Sequence, residues 1–228
     1  MPIAAVIFDL DGTLVDTNAL HVAAWERAFA RLGPPVPADR LRPLIGMGGD
    51  QLVPAVAGAA VEADHGEALR KGHEEEFAAG SKAASPVPVF PGAEALVRAV
   101  RKDHGLTAVL ATSSGKAHLK ATAAACGTDF AKLMDAVADG DDAAQSKPAP
   151  DLILAAITKA GVPAAECVLV GDTPFDGEAA RKAGVTFWGV TCGGLFSADQ
   201  LERAGAVAVW AGPAALLADL SRLLAHSA

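Results

Sequence analysis

The chain of 228 residues has no tyrosine, three cysteines and three methionines, and only 5% of it is aromatic. The missing tyrosine goes with an alanine-rich composition and says little about chemistry. Cys126, Cys167 and Cys192 are odd in number, far apart and without zinc-ligand spacing, so they read as reduced thiols of a cytoplasmic protein. Cys167, leading into an apolar strand, is expected to be buried. No Lys/Arg cluster and no basic-aromatic interleaving accompanies the net charge of -8, which argues against nucleic acid as a partner. No apolar run is long enough to cross a bilayer, and Met1 to Phe8, lacking a basic region, reads as a strand and not a signal peptide. A chain of this size hides roughly 70% of its unfolded surface, so it needs neither disulfides nor a structural metal to fold.

What is present is an alternation. Short apolar runs bounded by turn residues occur at Ala4 to Phe8, Thr107 to Ala111, Leu133 to Val137, Cys167 to Val170, Thr186 to Val190 and Ala206 to Trp210. Helical patterns lie between them at Ala93 to Arg101, Gly115 to Ala125, Asp151 to Ala160 and Phe175 to Ala183. Strands alternating with helices predict an α/β fold, a Rossmann-like parallel sheet covered on both faces, with ligands beyond the carboxyl ends of the strands. The interval from Thr17 to Ser85 has helical periodicity without a convincing strand and ends in the proline-rich Ser85 to Gly92. It reads as an inserted α-helical cap domain, residues 17–85, with residues 1–16 and 86–228 as the core.

Four segments carry chemistry. Val6-Ile7-Phe8-Asp9-Leu10-Asp11-Gly12-Thr13 ends an apolar strand with two carboxylates on one side of it. Anions that close repel unless a proton or cation separates them, although Asp11-Gly12 alone also suits a plain turn. Val109 to Ser114 is a strand ending in hydroxyls, which serve as helix caps as readily as ligands. Ser146-Lys147-Pro148-Ala149-Pro150-Asp151 sets a lysine before a rigid turn, with Asp151 able to cap the next helix. Val168 to Asp176 is another apolar strand ending in carboxylates, Asp172 and Asp176; the bland alternative makes Asp172 a helix cap.

In order and spacing these four segments resemble the motifs of the haloacid dehalogenase-like superfamily, over nearly the whole chain. The resemblance implies a magnesium-dependent phosphatase acting through an aspartyl-phosphate. Asp9 would be the nucleophile, and Asp11 would protonate the leaving oxygen and then activate water, which needs Asp11 protonated when substrate arrives. Mg²⁺ would be held by the Asp9 side chain, the Asp11 carbonyl and Asp172, with Asp176 acting through water or by orienting Lys147. Thr112 and the Ser113 amide would bind a phosphoryl oxygen, and Lys147 would supply a point charge. Leu10, Ser113 and Ser114 complete the core's expected substrate contacts.

Thr17, His21 and Trp25, spaced four apart, form one helical stripe beside the first motif, readable as a substrate-facing hinge or as cap packing. The stretch resembles the start of the beta-phosphoglucomutase cap, and Gly48 and Gly49 fall in the loop where that family carries a phosphate-gripping arginine. Gly49 takes the arginine's place, and no Lys or Arg occurs from Pro43 through Leu69. The expectation is therefore a weakly charged cap pocket that suits a phosphatase of the phosphoglycolate phosphatase type better than a sugar-phosphate mutase. A non-catalytic phospho-ligand binding module would show a damaged acid/base or metal position, whereas Asp9, Asp11, Thr112, Lys147 and Asp172 are all present. The expected partner is a small phosphorylated metabolite, and the protein a monomer or small homo-oligomer.

Overall fold

The computed structural model describes residues 2–226. Six parallel strands, β1 (Ala5–Phe8), β2 (Thr107–Ala111), β3 (Ala136–Ala138), β4 (Cys167–Gly171), β5 (Thr186–Val190) and β6 (Ala206–Trp210), form one sheet in the order β3-β2-β1-β4-β5-β6. Each strand's apolar residues alternate between two cores. Val6, Phe8, Leu110 and Val170 face one, with Leu216 and Leu220, and Ile7, Val109, Leu169 and Phe187 face the other, with Ile153 and Leu201. A sheet buried on both faces explains why the strands read as continuous hydrophobic runs.

The first α-helices after β1 are α1 (Asn18–Leu32), α2 (Ala38–Leu41), α3 (Gly49–Ala57) and the 25-residue α4 (Ala59–Ala83). They enclose a third core of Val22, Trp25, Phe29, Leu41, Leu52, Val53 and Leu69. This is the helical cap inserted in the sheet's connectivity. Gly72 lets α4 approach α1 closely, because a Cβ there would run into Leu32.

The remaining helices cover the sheet: α5 (Ala93–Arg98), extended by a π turn over Ala99–Asp103, α6 (Lys116–Cys126), α7 (Phe130–Leu133), α8 (Asp151–Ala160), α9 (Pro174–Ala183), α10 (Ala198–Arg203) and α11 (Pro213–His226). Two local expectations need correction. The run Leu133 to Val137 is split, because Asp129 caps α7 by accepting from the Lys132 amide, and β3 starts only at Ala136. Asp151 is the first residue of α8 and accepts from the Gln145 amide instead of capping the helix. Among the described residues no helix is long and apolar enough to cross a membrane.

Candidate active site

In a sheet of this order, β1 and β4 flank the point where the connections change direction, and a crevice opens beyond their carboxyl ends. Phe8 lies opposite Leu110 on one side and Val170 on the other, so Asp9, Thr112 and Asp172 emerge together. The Asp9 amide still continues the ladder, donating to the Val170 carbonyl at 2.9 Å. The chain then closes a tight turn in which the Leu10 carbonyl accepts from the Leu14 amide at 2.8 Å, with Gly12 at φ +79°. Only glycine suits that position, because a Cβ would also strike the carboxylate of Asp172.

At the crevice floor Lys147 is buried and bridges two carboxylates, donating to Asp9 Oδ1 at 2.6 Å and Asp176 Oδ1 at 2.7 Å. Burial alone would weaken its hold on its proton, but Asp176 and Asp9 outweigh it and raise its pKa. The other Asp176 oxygen is committed to the Thr173 amide and hydroxyl in a capping box that starts α9. Thr173, not Asp172, is the cap, which frees Asp172 to face Asp9. The Thr13 hydroxyl lies 3.1 Å from Asp9 Oδ2 and 3.2 Å from Asp172 Oδ1, and Asn18 donates to Asp172 Oδ2 at 2.8 Å.

One hydroxyl proton cannot serve two carboxylates at once. The proton affinities follow burial and the neighbouring charges. Burial, opposed by Lys147 and reinforced by Asp176 and Asp11, pushes Asp9 up to about 7. Burial, then Asp9 and Asp176, raises Asp172 well above the usual carboxylate range. Oxygens of Asp9, Asp172 and Asp176 all lie within 4.8 Å of one another. A buried, all-oxygen, electron-rich donor set of this kind fits a hard divalent cation.

Asp11 has different company. Its Oδ1 accepts from the Thr17 hydroxyl at 2.6 Å and lies 3.3 Å from both His118 Nε2 and His21 Nε2. Burial works against its charge, but His118 and then His21 outweigh it and hold its pKa well below the ordinary value. His21 Nδ1 in turn lies 3.1 Å from His73 Nε2, and Trp25 stacks on His73 with ring centres 4.2 Å apart.

Across the crevice the Thr112 hydroxyl accepts from the Ser114 amide at 3.1 Å, and Gly115 starts α6 behind them. The Ser113 hydroxyl is buried with no hydrogen-bond partner.

The cavity, about 330 Å³, is lined by Asp9, Asp11, Lys147, Asp176 and the turn Thr112 to Gly115 from the core, and by His21, Trp25, Gly48, Gly49, Asp50 and Arg70 from the cap. The structure brings most of the expected residues to one cavity, while Leu10 and Thr17 lie outside its lining and Arg70 adds a charge to it. Leu10 is buried in the sheet's core and its side chain does not face the cavity. Thr17 is fully buried and acts on Asp11 instead of lining the space. The pocket is not weakly charged, because Arg70 of α4 enters it beside Gly49 and is held by both oxygens of Glu62 at 2.8 and 2.9 Å. The cap loop also touches the core directly, with Asp50 accepting from the Ser146 amide at 3.1 Å.

Thr13, Asn18, His73 and His118 were not singled out from the sequence. Thr13 closes the first motif and was within reach of inspection; the others converge only through the folding of α1, α4 and α6.

Comparison with known proteins agrees with this geometry. The family model described as haloacid dehalogenase-like hydrolase matches residues 3–184. The chain is 36% identical over 201 residues to a probable phosphatase, IndB, of Dickeya dadantii, covering 87% of this chain and 85% of that one. It is 35% identical over 189 residues to a plasmid-borne phosphoglycolate phosphatase of Cupriavidus necator, covering 81% and 79%. The crystal structure of a hydrolase from Pseudomonas syringae superposes with a TM-score of 0.86 at 33% identity, over 97% of this chain and 99% of that one. The chain belongs to the haloacid dehalogenase-like hydrolases.

Proposed function

We propose that the protein is a magnesium-dependent phosphatase that hydrolyses a small phosphate monoester through an aspartyl-phosphate on Asp9. The observation that carries this reading is the opposition, across one cavity, of the Asp9–Lys147–Asp176 cluster and the Thr112 to Gly115 turn. The names of the phosphatase relatives support it. On the same reading, residues 17–85 form the cap and residues 1–16 with 86–228 the core.

The chemistry assigns each residue a task. Asp9 Oδ2 attacks phosphorus while Lys147 holds Asp9 Oδ1 and fixes the carboxylate's direction. Thr112 and the Ser113 amide, with nearby amides at the start of α6, hold the phosphoryl oxygens. Asp11 gives a proton to the leaving oxygen and later takes one from water. The incoming phosphate dianion raises the proton affinity of Asp11 by like-charge repulsion, so protonation accompanies substrate entry. A divalent cation held by Asp9, Asp172 and the Asp11 carbonyl would neutralise charge on the transferring group. Asp176, with both oxygens engaged by Lys147 and Thr173, orients the lysine.

The mutase alternative needs a cap cation free to hold a second phosphate, and Arg70 is paired with Glu62. A non-catalytic module has no use for a nucleophile, acid/base and lysine aligned on one cavity. The test is phosphate release from a panel of phosphoglycolate, sugar phosphates, sugar bisphosphates and nucleotides, with Mg²⁺ and with excess chelator. Turnover with Mg²⁺ that disappears in Asp9→Asn is expected. Full activity in chelator, or in Asp9→Asn, overturns the reading.

A further inference from the structure

The cap and core meet at a second cluster that the reaction above does not require in full. His21 of α1 and His118 of α6 both direct Nε2 towards Oδ1 of Asp11, each at 3.3 Å, and the three ligand atoms lie within 4.8 Å of one another. His21 is only 8% exposed, yet its Nε2 makes no hydrogen bond, being close to Asp11 but off the line such a bond needs. A tetrahedral ion with bonds of about 2.0–2.1 Å has ligand–ligand edges of roughly 3.3–3.4 Å. From such a vertex a ligand aims at the centre and not at its neighbour, as His21 Nε2 does, while His118 Nε2 keeps a hydrogen bond to Asp11 Oδ1.

The surroundings favour an ion too. His21 Nδ1 faces His73 Nε2 at 3.1 Å, so when an ion replaces the imidazole proton beside Asp11, His21 can keep its other proton on Nδ1, with His73 accepting, and present Nε2 to the ion. That is the support a ligating histidine has, a partner for the ring nitrogen that does not bind. Trp25 packs on His73 with ring centres 4.2 Å apart, and Phe77 packs on His118 at 4.0 Å. The rings are therefore held in place before any ligand arrives. Asp11, His21 and His118 all border the cavity, which leaves a coordination position open to water or a substrate oxygen.

We infer that Asp11, His21 and His118 form a binding site for a first-row transition ion of the zinc class, separate from the all-carboxylate site of Asp9 and Asp172. Two imidazoles and one carboxylate suit zinc or cobalt, while magnesium prefers oxygen donors. An ion here occupies the side chain of Asp11 and ties cap helix α1 to core helix α6. It therefore stops the phosphatase, a consequence that rests on the function proposed above, whereas binding does not.

The experiment is a Co²⁺ titration of the full chain in saturating Mg²⁺, read by visible absorption. One equivalent of Co²⁺ giving an intense, tetrahedral-type band is expected, displaced by Zn²⁺, retained in Asp172→Asn and lost in His118→Asn. His73→Phe, which removes only the supporting partner, should weaken binding about 10–100-fold. Absence of the band, its survival in His118→Asn, or its loss in a folded Asp172→Asn overturns the proposal. Circular dichroism checks folding, and X-ray absorption of the unaltered protein gives an independent reading. Two imidazoles in the Co²⁺ shell support the site, and a six-oxygen shell refutes it. Inhibition by Zn²⁺ is measured separately, so a protein that binds the ion but is no phosphatase is recognised as such.

Discussion

Arg70 packs against Gly49 so closely that a Cβ on residue 49 would lie 2.8 Å from the arginine's Cγ and 3.0 Å from the Trp25 ring. The glycine in the cap loop and the arginine on α4 are therefore one arrangement. The loop gives up its side chain, and the cation reaches the cavity from the helix behind it. Truncating Arg70 to alanine removes a charged donor from the cap side of the pocket while leaving the core cluster intact. For a substrate carrying a second anionic group, KM should rise about 10–100-fold, the worth of one or two charge-assisted hydrogen bonds. For a phosphate ester with a neutral tail it should barely move. Steady-state kinetics on such a pair of substrates checks this, and an equal rise for both would mean that Arg70 only supports the cap.

Lys147 is the single cation of the buried cluster, 2.6 Å from Asp9 and 2.7 Å from Asp176. Replacing it with methionine leaves two buried carboxylates facing each other, and the metal-free protein should lose about 3–5 kcal/mol at pH 8. Asp9→Asn keeps the shape and removes one repelling charge, so it should melt no lower than the parent while losing all turnover. Thermal melts of both variants alongside the parent decide the matter. A Lys147→Met protein as stable as the parent would contradict the structure's pairing.

Stability should also depend on pH and magnesium together. Asp9 stands at about 7 and Asp172 well above its ordinary value, both raised on folding. A raised acid contributes stability below its unfolded pKa, near 4, and that contribution disappears as pH climbs through the folded value. Metal-free protein should therefore lose this contribution between about pH 4 and pH 7, while His21 and His73, whose pKa values burial lowers, add stability as pH rises over the same range. A magnesium ion needs both carboxylates ionised, so the stabilisation it brings should grow over the same interval. At 100 times its dissociation constant it would reach about 2.7 kcal/mol. Asp11, held low by His118 and His21 against burial, changes only at more acidic pH and does not disturb this window. Melts at pH 5 and pH 8, with and without Mg²⁺, should show the larger gap at pH 8; a gap that shrinks would refute the assignment.

Why some of this was legible in sequence follows from how each residue is placed. Asp9, Thr112 and Asp172 sit directly after strands, where an apolar run followed by a polar residue announces a sheet's ligand-binding end. Lys147 is legible through the prolines that follow it. His118 and His73 carry no comparable mark, since a histidine inside a helix reads the same whether it faces solvent or another chain segment. Arg70 lies only one residue beyond the cation-free stretch Pro43 to Leu69, but its direction depends on how α4 packs behind the loop. The strand at β3 was misplaced because Leu133 is apolar enough for a strand, and only the Asp129 cap assigns it to a helix turn.

The last prediction concerns Glu62. It holds Arg70 through both carboxylate oxygens, and Gly66, where a Cβ would run into that carboxylate, leaves it room to do so. The pairing competes with any anionic group of a substrate for the same guanidinium. Glu62→Gln should relieve that competition without emptying the space, and KM for a sugar bisphosphate should fall about 10-fold, one charge-assisted hydrogen bond's worth. A tighter hold on a bisphosphate also favours return of the phosphoryl group over its loss to water. With beta-glucose 1-phosphate, a bisphosphate primer and Mg²⁺, the parent should yield mostly free phosphate, and Glu62→Gln a larger share of glucose 6-phosphate. If the parent already makes glucose 6-phosphate faster than phosphate, Glu62 does not restrain Arg70 and the protein is a mutase. If the variant's product ratio and KM match the parent's, Arg70 does not reach the distal group at all.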